Sequence, residues 1–124
     1  MPTREIQREQ WESYFDEFSR TRAGELVTIE VVSNAQDDPR DEVKLLPLLG
    51  ISFDPKGSEA GSIEIMVGDK ANDHVTHIVT RPVHVYHKDG AGLISDEVNQ
   101  EEIIEITSAD VPPIVYLRFT PGSE

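Results

Sequence analysis

No cysteine occurs among the 124 residues. That removes disulfides, thiolate nucleophiles, thiolate zinc sites and iron–sulfur clusters together, and it fits a reducing compartment. Long apolar runs are missing as well. The opening MPTREIQREQW holds none of the apolar core of a secretory signal, and no stretch approaches the roughly 18 consecutive apolar residues of a membrane helix. Basic residues are scarce, with 11 Lys and Arg against 24 Asp and Glu and a formal net charge of −13. A field of that sign repels phosphate backbones and anionic lipid, so nucleic acid and membrane surfaces are not expected as partners. These absences leave a soluble, cytoplasmic, single-domain protein over residues 1–124 as the expectation. Its core is large enough to need no covalent staple.

What the chain does contain is one helical signal followed by a long β-type signal. In REQWESYFDEFSRTRAG, Trp11, Tyr14, Phe15 and Phe18 fall at i, i+3, i+4 and i+7, which is one helix face. Acids occupy the early and middle turns, Arg20 and Arg22 the last one, and Gly24 supplies a stop. The spacing predicts a helix from about residue 7 or 8 to 22 or 23, with Thr3–Ile6 as a first turn or an extended lead-in. Four of the eight aromatic residues lie on this stripe, and a stripe at helical spacing is first of all a core-packing face.

After Gly24 the period changes to two. ELVTIEVVS alternates, with Val27, Ile29 and Val31 on one face; SIEIMVG sets Ile63, Ile65 and Val67 against Ser62, Glu64 and Met66. VKLLPLLGISF is interrupted by Pro47, which cannot donate to a ladder and so implies an edge, a bulge or a bend. EIIEIT and PIVYLRF close the series. Turn chemistry fills the gaps (NAQDDPRDE, DPKGSEAG, GDKAND, KDGAG, SADVPP), at lengths that favour antiparallel neighbours. The fold class is α+β: one N-terminal helix packed on a mostly antiparallel sheet of six or seven strands over about residues 25–120, with a frayed tail at 121–124. A small barrel closed at one end by the helix is preferred over an open curved sheet.

All four histidines fall in HVTHIVTRPVHVYHK, as two H-x-x-H pairs. On a helix such a pair chelates; on a strand, residues three apart point to opposite faces. The intervening residues are β-branched or aromatic and argue for strand. If Pro82 leaves the register intact, His77 and His87 share the apolar face or its rim with Val75, Val79, Val83 and Val85, while His74 and His84 point away. A chain reversal at Arg81-Pro82 would set His77 against His87, or His74 against His84, with Asp69, Asp73 or Asp89 as added carboxylates. Hydrogen-bonded strand histidines remain the leading reading, ahead of a metal site or a protonation switch. No metal and no cofactor are expected.

Other chemistry is thin. GAGLIS lacks the third glycine of a dinucleotide fingerprint and runs into acids, GSEAG is not a nucleophile elbow, and GDKANDH misses the alternation of a calcium loop. Adjacent carboxylates such as Glu101/Glu102 select no general acid in so acidic a chain. However, REIQREQW followed by YFDEFSR, then LVTIEV, LPLLGIS, SIEIMVGD, DHVTHIV with Pro82 after it, and IEITSAD leading to YLRF resemble a family of short bacterial proteins of unknown function. The resemblance runs from about Arg4 to Phe119, with Gln7 where proline is expected and a longer stretch around NAQDDPRDE. It implies a bacterial, soluble, single-domain protein with no active site to transfer, and it makes His74 and His77 the first side chains to examine. The leading functional reading is a non-catalytic protein-binding or assembly module, homodimerisation through an edge strand being one form. The alternatives are a metal-dependent enzyme using His74, His77 and nearby acids, and a small-molecule sensor with an apolar pocket beneath the helix, lined by Trp11, Phe15 and Phe18.

Overall fold

The helical and alternating segments fold where their periodicities place them. The computed structural model describes residues 3–33, 40–55, 61–70, 73–89, 102–110 and 112–120. Its elements are β1 (Thr3–Ile6), a 3-10 turn (Arg8–Gln10), α1 (Trp11–Arg22), β2 (Leu26–Val32), β3 (Arg40–Asp54), β4 (Ser62–Lys70), β5 (Asp73–Thr80), β6 (Pro82–Asp89), β7 (Glu102–Ser108) and β8 (Ile114–Thr120). Gly24, at φ +87°, ends the helix in a conformation that glycine adopts without steric cost. The lead-in before the helix is extended and pairs with β6.

Every neighbouring pair of strands is antiparallel, in the order β1-β6-β7-β8-β2-β3-β4-β5. The eight strands exceed the expected six or seven because the lead-in is itself a strand and the histidine segment divides at Arg81. The barrel preference is corrected: β1 and β5 end the sheet and do not pair with each other among the described residues. The helix packs on the sheet, chiefly on β3. Its aromatic face lies along the trough of the sheet, with Trp11 edge-on to Phe53 of β3 (5.1 Å) and Phe18 edge-on to Phe119 of β8 (5.0 Å). Trp11 and Phe15 are 1% and 0% exposed, and truncating such a side chain to alanine costs about 3–5 kcal/mol. Trp11 Nε1 also donates to Ile6 O at 2.8 Å, tying β1 to the helix. Ser19 Oγ donates to Ile51 O (2.9 Å) and accepts from Ile51 N (2.8 Å), which fixes the helix on β3.

β3 is the strand where simple alternation fails. Val43 faces the core, Leu45 is 47% exposed, Leu48 is buried, Leu49 is 38% exposed, and Ile51 and Phe53 are buried again. Register shifts against β2 and against β4 cause these reversals. At the first, Leu45 takes φ +57° and its amide donates to Thr28 Oγ1 at 3.2 Å. Pro47 lies where β3 leaves β2, and from Leu48 onward β3 pairs with β4. Of the edge, bulge or bend that Pro47 implies, the structure shows register irregularities on either side of it, and one long strand serves two ladders.

A second turning point joins β5 to β6. Arg81 adopts φ +47°, and its Nε and Nη2 donate to Asp110 Oδ1 at 3.0 and 2.5 Å. Thr80 Oγ1 donates to the other Asp110 oxygen at 2.5 Å, and Ser108 Oγ donates to Thr80 O at 2.6 Å. The Arg81 and Thr80 hydrogen bonds hold the Asp110 carboxyl down to about 2. Just past the corner, a shift between Pro82 and His84 leaves Val83 48% exposed, and His84 N donates to Thr107 Oγ1 at 3.1 Å. Val83 was expected on the apolar face; this bulge moves it off.

Gly61 precedes β4 at φ +77°, and a Cβ there would lie 2.7 Å from Asp54 O and 2.8 Å from the Phe53 ring. Gly61→Ala should therefore destabilise the protein by about 1–3 kcal/mol, read as a lower urea midpoint at unchanged slope.

Candidate functional site

His74 and His77 are on β5, His84 and His87 on β6. Side chains three apart on a strand leave opposite faces, and their surroundings differ accordingly. His74 is exposed, whereas His77 is half-buried opposite Ile65 of β4. β5 and β6 do not form a hairpin, since β5 pairs with β4, and β6 with β1 and β7. The facing pairs His77/His87 and His74/His84 that a reversal at Arg81-Pro82 would create do not arise, because the corner sends the two strands to different neighbours. Asp69 belongs to β4, Asp73 to β5 and Asp89 to β6; their side chains lie outside the described part. Among the described residues, no three His, Asp or Glu side chains are grouped to hold a metal ion.

Two of the histidines have carboxylate partners. His84 Nδ1 is 2.8 Å from Glu5 Oε2, and its ring stacks on Tyr86 at 5.7 Å, which pins β1 to β6. His87 Nε2 is 2.9 Å from Glu102 Oε2 on β7. His77 has a different environment. Burial lowers its pKa below the ordinary 6.5, and the negative charge of Glu42 opposes that shift in part. It borders a small void of about 20 Å³ together with Val79, Ser108, Pro112 and Val115.

A larger concavity than this void lies elsewhere, between α1 and the β1–β6–β7 side of the sheet. It is a cleft of about 380 Å³, within the roughly 300–1,000 Å³ range of ligand pockets. Tyr14 and Phe18 of the helix stripe border it, and their rings stack at 5.7 Å with 25° between planes. Trp11 and Phe15, expected to line an apolar pocket beneath the helix, are packed into the core instead. The cleft lies at the flank of the helix and has a charged rim.

Three elements supply that rim: Arg4 from β1, Glu17 and Arg22 from α1, and Glu102 from β7. Arg22 Nη2 meets Glu102 Oε1 at 2.5 Å and the guanidinium lies over Phe18 at 5.1 Å. Glu102 thus joins Arg22 and His87 through its two oxygens. Arg22 Nε is buried without a hydrogen-bond partner, since Glu25 at 4.0 Å is too far for one. Arg4 lies 6.0 Å from the centre of the Tyr14 ring. Burial is the largest influence on the Tyr14 hydroxyl and pushes it up to about 12, so it is a hydrogen-bond donor at neutral pH. Sequence reasoning reached His87, Tyr14 and Phe18 but missed Arg4, Glu17, Arg22 and Glu102. Their meeting depends on β1 pairing with β6, a long-range contact with no local signal.

For His77, the folded pKa is depressed, so its contribution to stability is complete above 6.5. That contribution is lost as pH falls from there through the lower folded value. His77→Gln should flatten this part of the profile, and urea midpoints of wild type and variant measured at about pH 7.5 and about pH 5.5 provide the check. An equal acid-side loss in both proteins would contradict it.

Residues 2–111 match the model of a family of unknown function, DUF5335. A protein of Aquifex aeolicus (strain VF5), described as an uncharacterized protein, is 35% identical over 95 residues, spanning 77% of this chain and 78% of that protein. No solved structure matches. The family match and the bacterial relative agree with the resemblance read from the sequence blocks, and the chain belongs to the DUF5335 family.

Proposed function

We propose that this protein is a non-catalytic assembly module that binds a second copy of itself by strand addition at β5. The observation that carries this reading is the unequal treatment of the two sheet edges. Natural sheets blunt an edge with brevity, charge or proline, because unpaired backbone groups template further pairing. β1 is four residues long, carries Arg4 and Glu5, and is engaged by the Glu5–His84 pair. β5 is eight residues long, and from His74 to Thr80 it contains no Lys, Arg, Asp, Glu or Pro. Val75 and Ile78 on it are 49% and 52% exposed, and among the described residues it pairs only with β4.

A second copy is the favoured occupant on grounds of charge. At −13 the chain repels itself over most of its surface, but the stretch HVTHIVT is free of acids and bases other than imidazole. An antiparallel, two-fold pairing centred on Thr76 sets Thr76 against its own copy and Val75 against His77, with no like charges opposed. Thr80 is held in the corner by Asp110 and Ser108, so the pairing uses the earlier part of the strand. The metal-dependent reading lacks a comparable basis, since no three His, Asp or Glu side chains group to hold an ion among the described residues.

Light scattering over about 10–300 μM should show twice the monomer mass at the upper end. Ile78→Lys and Val75→Lys change exposed side chains and should leave the circular dichroism unaltered. Each should weaken the dimer about tenfold or more by placing a charge on the edge. A wild-type chain that stays monomeric throughout, or a dimer indifferent to both lysines, would rule the reading out.

A further inference from the structure

From the cleft on the flank of α1 we infer that the protein has a second binding site, independent of the β5 edge, for a free amino acid with an aromatic side chain. Its charges carry the argument. The carboxylate of Glu102 is already engaged, at 2.5 Å by Arg22 and at 2.9 Å by His87. The other cation and the other carboxylate of the lining, Arg4 and Glu17, are both exposed and form no ion pair among the described residues. One cation and one anion without an ion-pair partner among the described residues, on the walls of one cleft, match a ligand that carries both charges.

The field of the whole molecule favours the same class. A net charge of −13 opposes the approach of a phosphate or other free anion, whereas a zwitterion has no net charge to repel. Donors for a carboxylate are at hand in the Arg4 guanidinium and in Tyr14, whose ring lies 6.0 Å from it, and a guanidinium can grip a carboxylate through two parallel bonds. Glu17 can accept from an ammonium group. Between these ends, the half-buried Tyr14 ring, stacked on the buried Phe18, offers an aromatic edge against which another ring packs edge-on. The volume of about 380 Å³ accommodates a molecule of this size.

Four probes separate the chemistry: L-phenylalanine, hydrocinnamate (no amine), phenethylamine (no carboxylate) and inorganic phosphate. Titration into the full chain, followed through the ring resonances of Tyr14 and Phe18, should show L-phenylalanine binding at least about tenfold more tightly than any of the others. Arg4→Gln and Glu17→Gln alter exposed side chains and should each weaken it about tenfold, with dimerisation unaffected. Hydrocinnamate or phosphate binding as tightly as L-phenylalanine would make the cleft an anion site and overturn the inference. So would the absence of any shift at ~10 mM L-phenylalanine, or binding unchanged in both variants. Because the mass of the assembly is read separately, failure here and failure of the β5 interface are distinguishable.

Discussion

The architecture depends on the double duty of β3. Its first half pairs with β2 and its second half with β4, and the change of partner takes place around Pro47. Two backbone bonds hold that point, Gly24 N to Leu48 O and Leu48 N to Glu25 O, both at 2.9 Å. The segment that ends the helix is thus bonded directly to the place where the sheet bends. Because the same few residues set both, the position of α1 in the trough and the position of β4 and β5 are linked. The aromatic stripe then fills the space that the bend creates, and the core comprises residues from the helix and all eight strands among the described residues.

Much of this was legible in the sequence, for physical reasons that differ by element. The stripe Trp11–Phe18 is local, and a period of 3.6 over two turns has one reading. Val27, Ile29 and Val31, Ile63, Ile65 and Val67, and Val115, Leu117 and Phe119 alternate cleanly because no extra residue enters their strands within these stretches, and the nine are buried. Parity failed wherever an extra residue enters a strand. Leu45, Leu49 and Val83 look like core residues by type but are exposed because of bulges. Their only sequence signals are the nearby prolines and, across the ladder, Thr28 and Thr107, whose hydroxyls accept the displaced amides. The barrel expectation failed for a different reason: strand composition says nothing about whether the two end strands of a sheet will pair with each other.

The candidate site was less legible still. The eye goes first to the histidines, which are rare and adjacent in sequence, yet their spacing on extended backbone disperses them. The residues that do meet come from β1, α1, β6 and β7, and the Glu5–His84 contact that helps bring them together spans 79 positions. In a chain with 24 acids, Glu17 and Glu102 carry no distinguishing mark until the topology sets them beside arginines. The β5 edge is the opposite case, because its lack of charge is visible in HVTHIVT itself and only its location at a sheet edge had to be learned.

The place of β2 has a consequence for biogenesis. It lies between β3 and β8, and the Arg118–Glu30 contact across that seam joins positions 88 apart. Chains emerge from the ribosome at about 5–20 residues per second, so one flank of LVTIEVV stays bare for on the order of 5–20 s before its permanent neighbour arrives. A β-branched ribbon in that condition invites capture by other nascent chains. The surplus of carboxylates, which does little for the finished core, keeps those unfinished polypeptides apart during the interval.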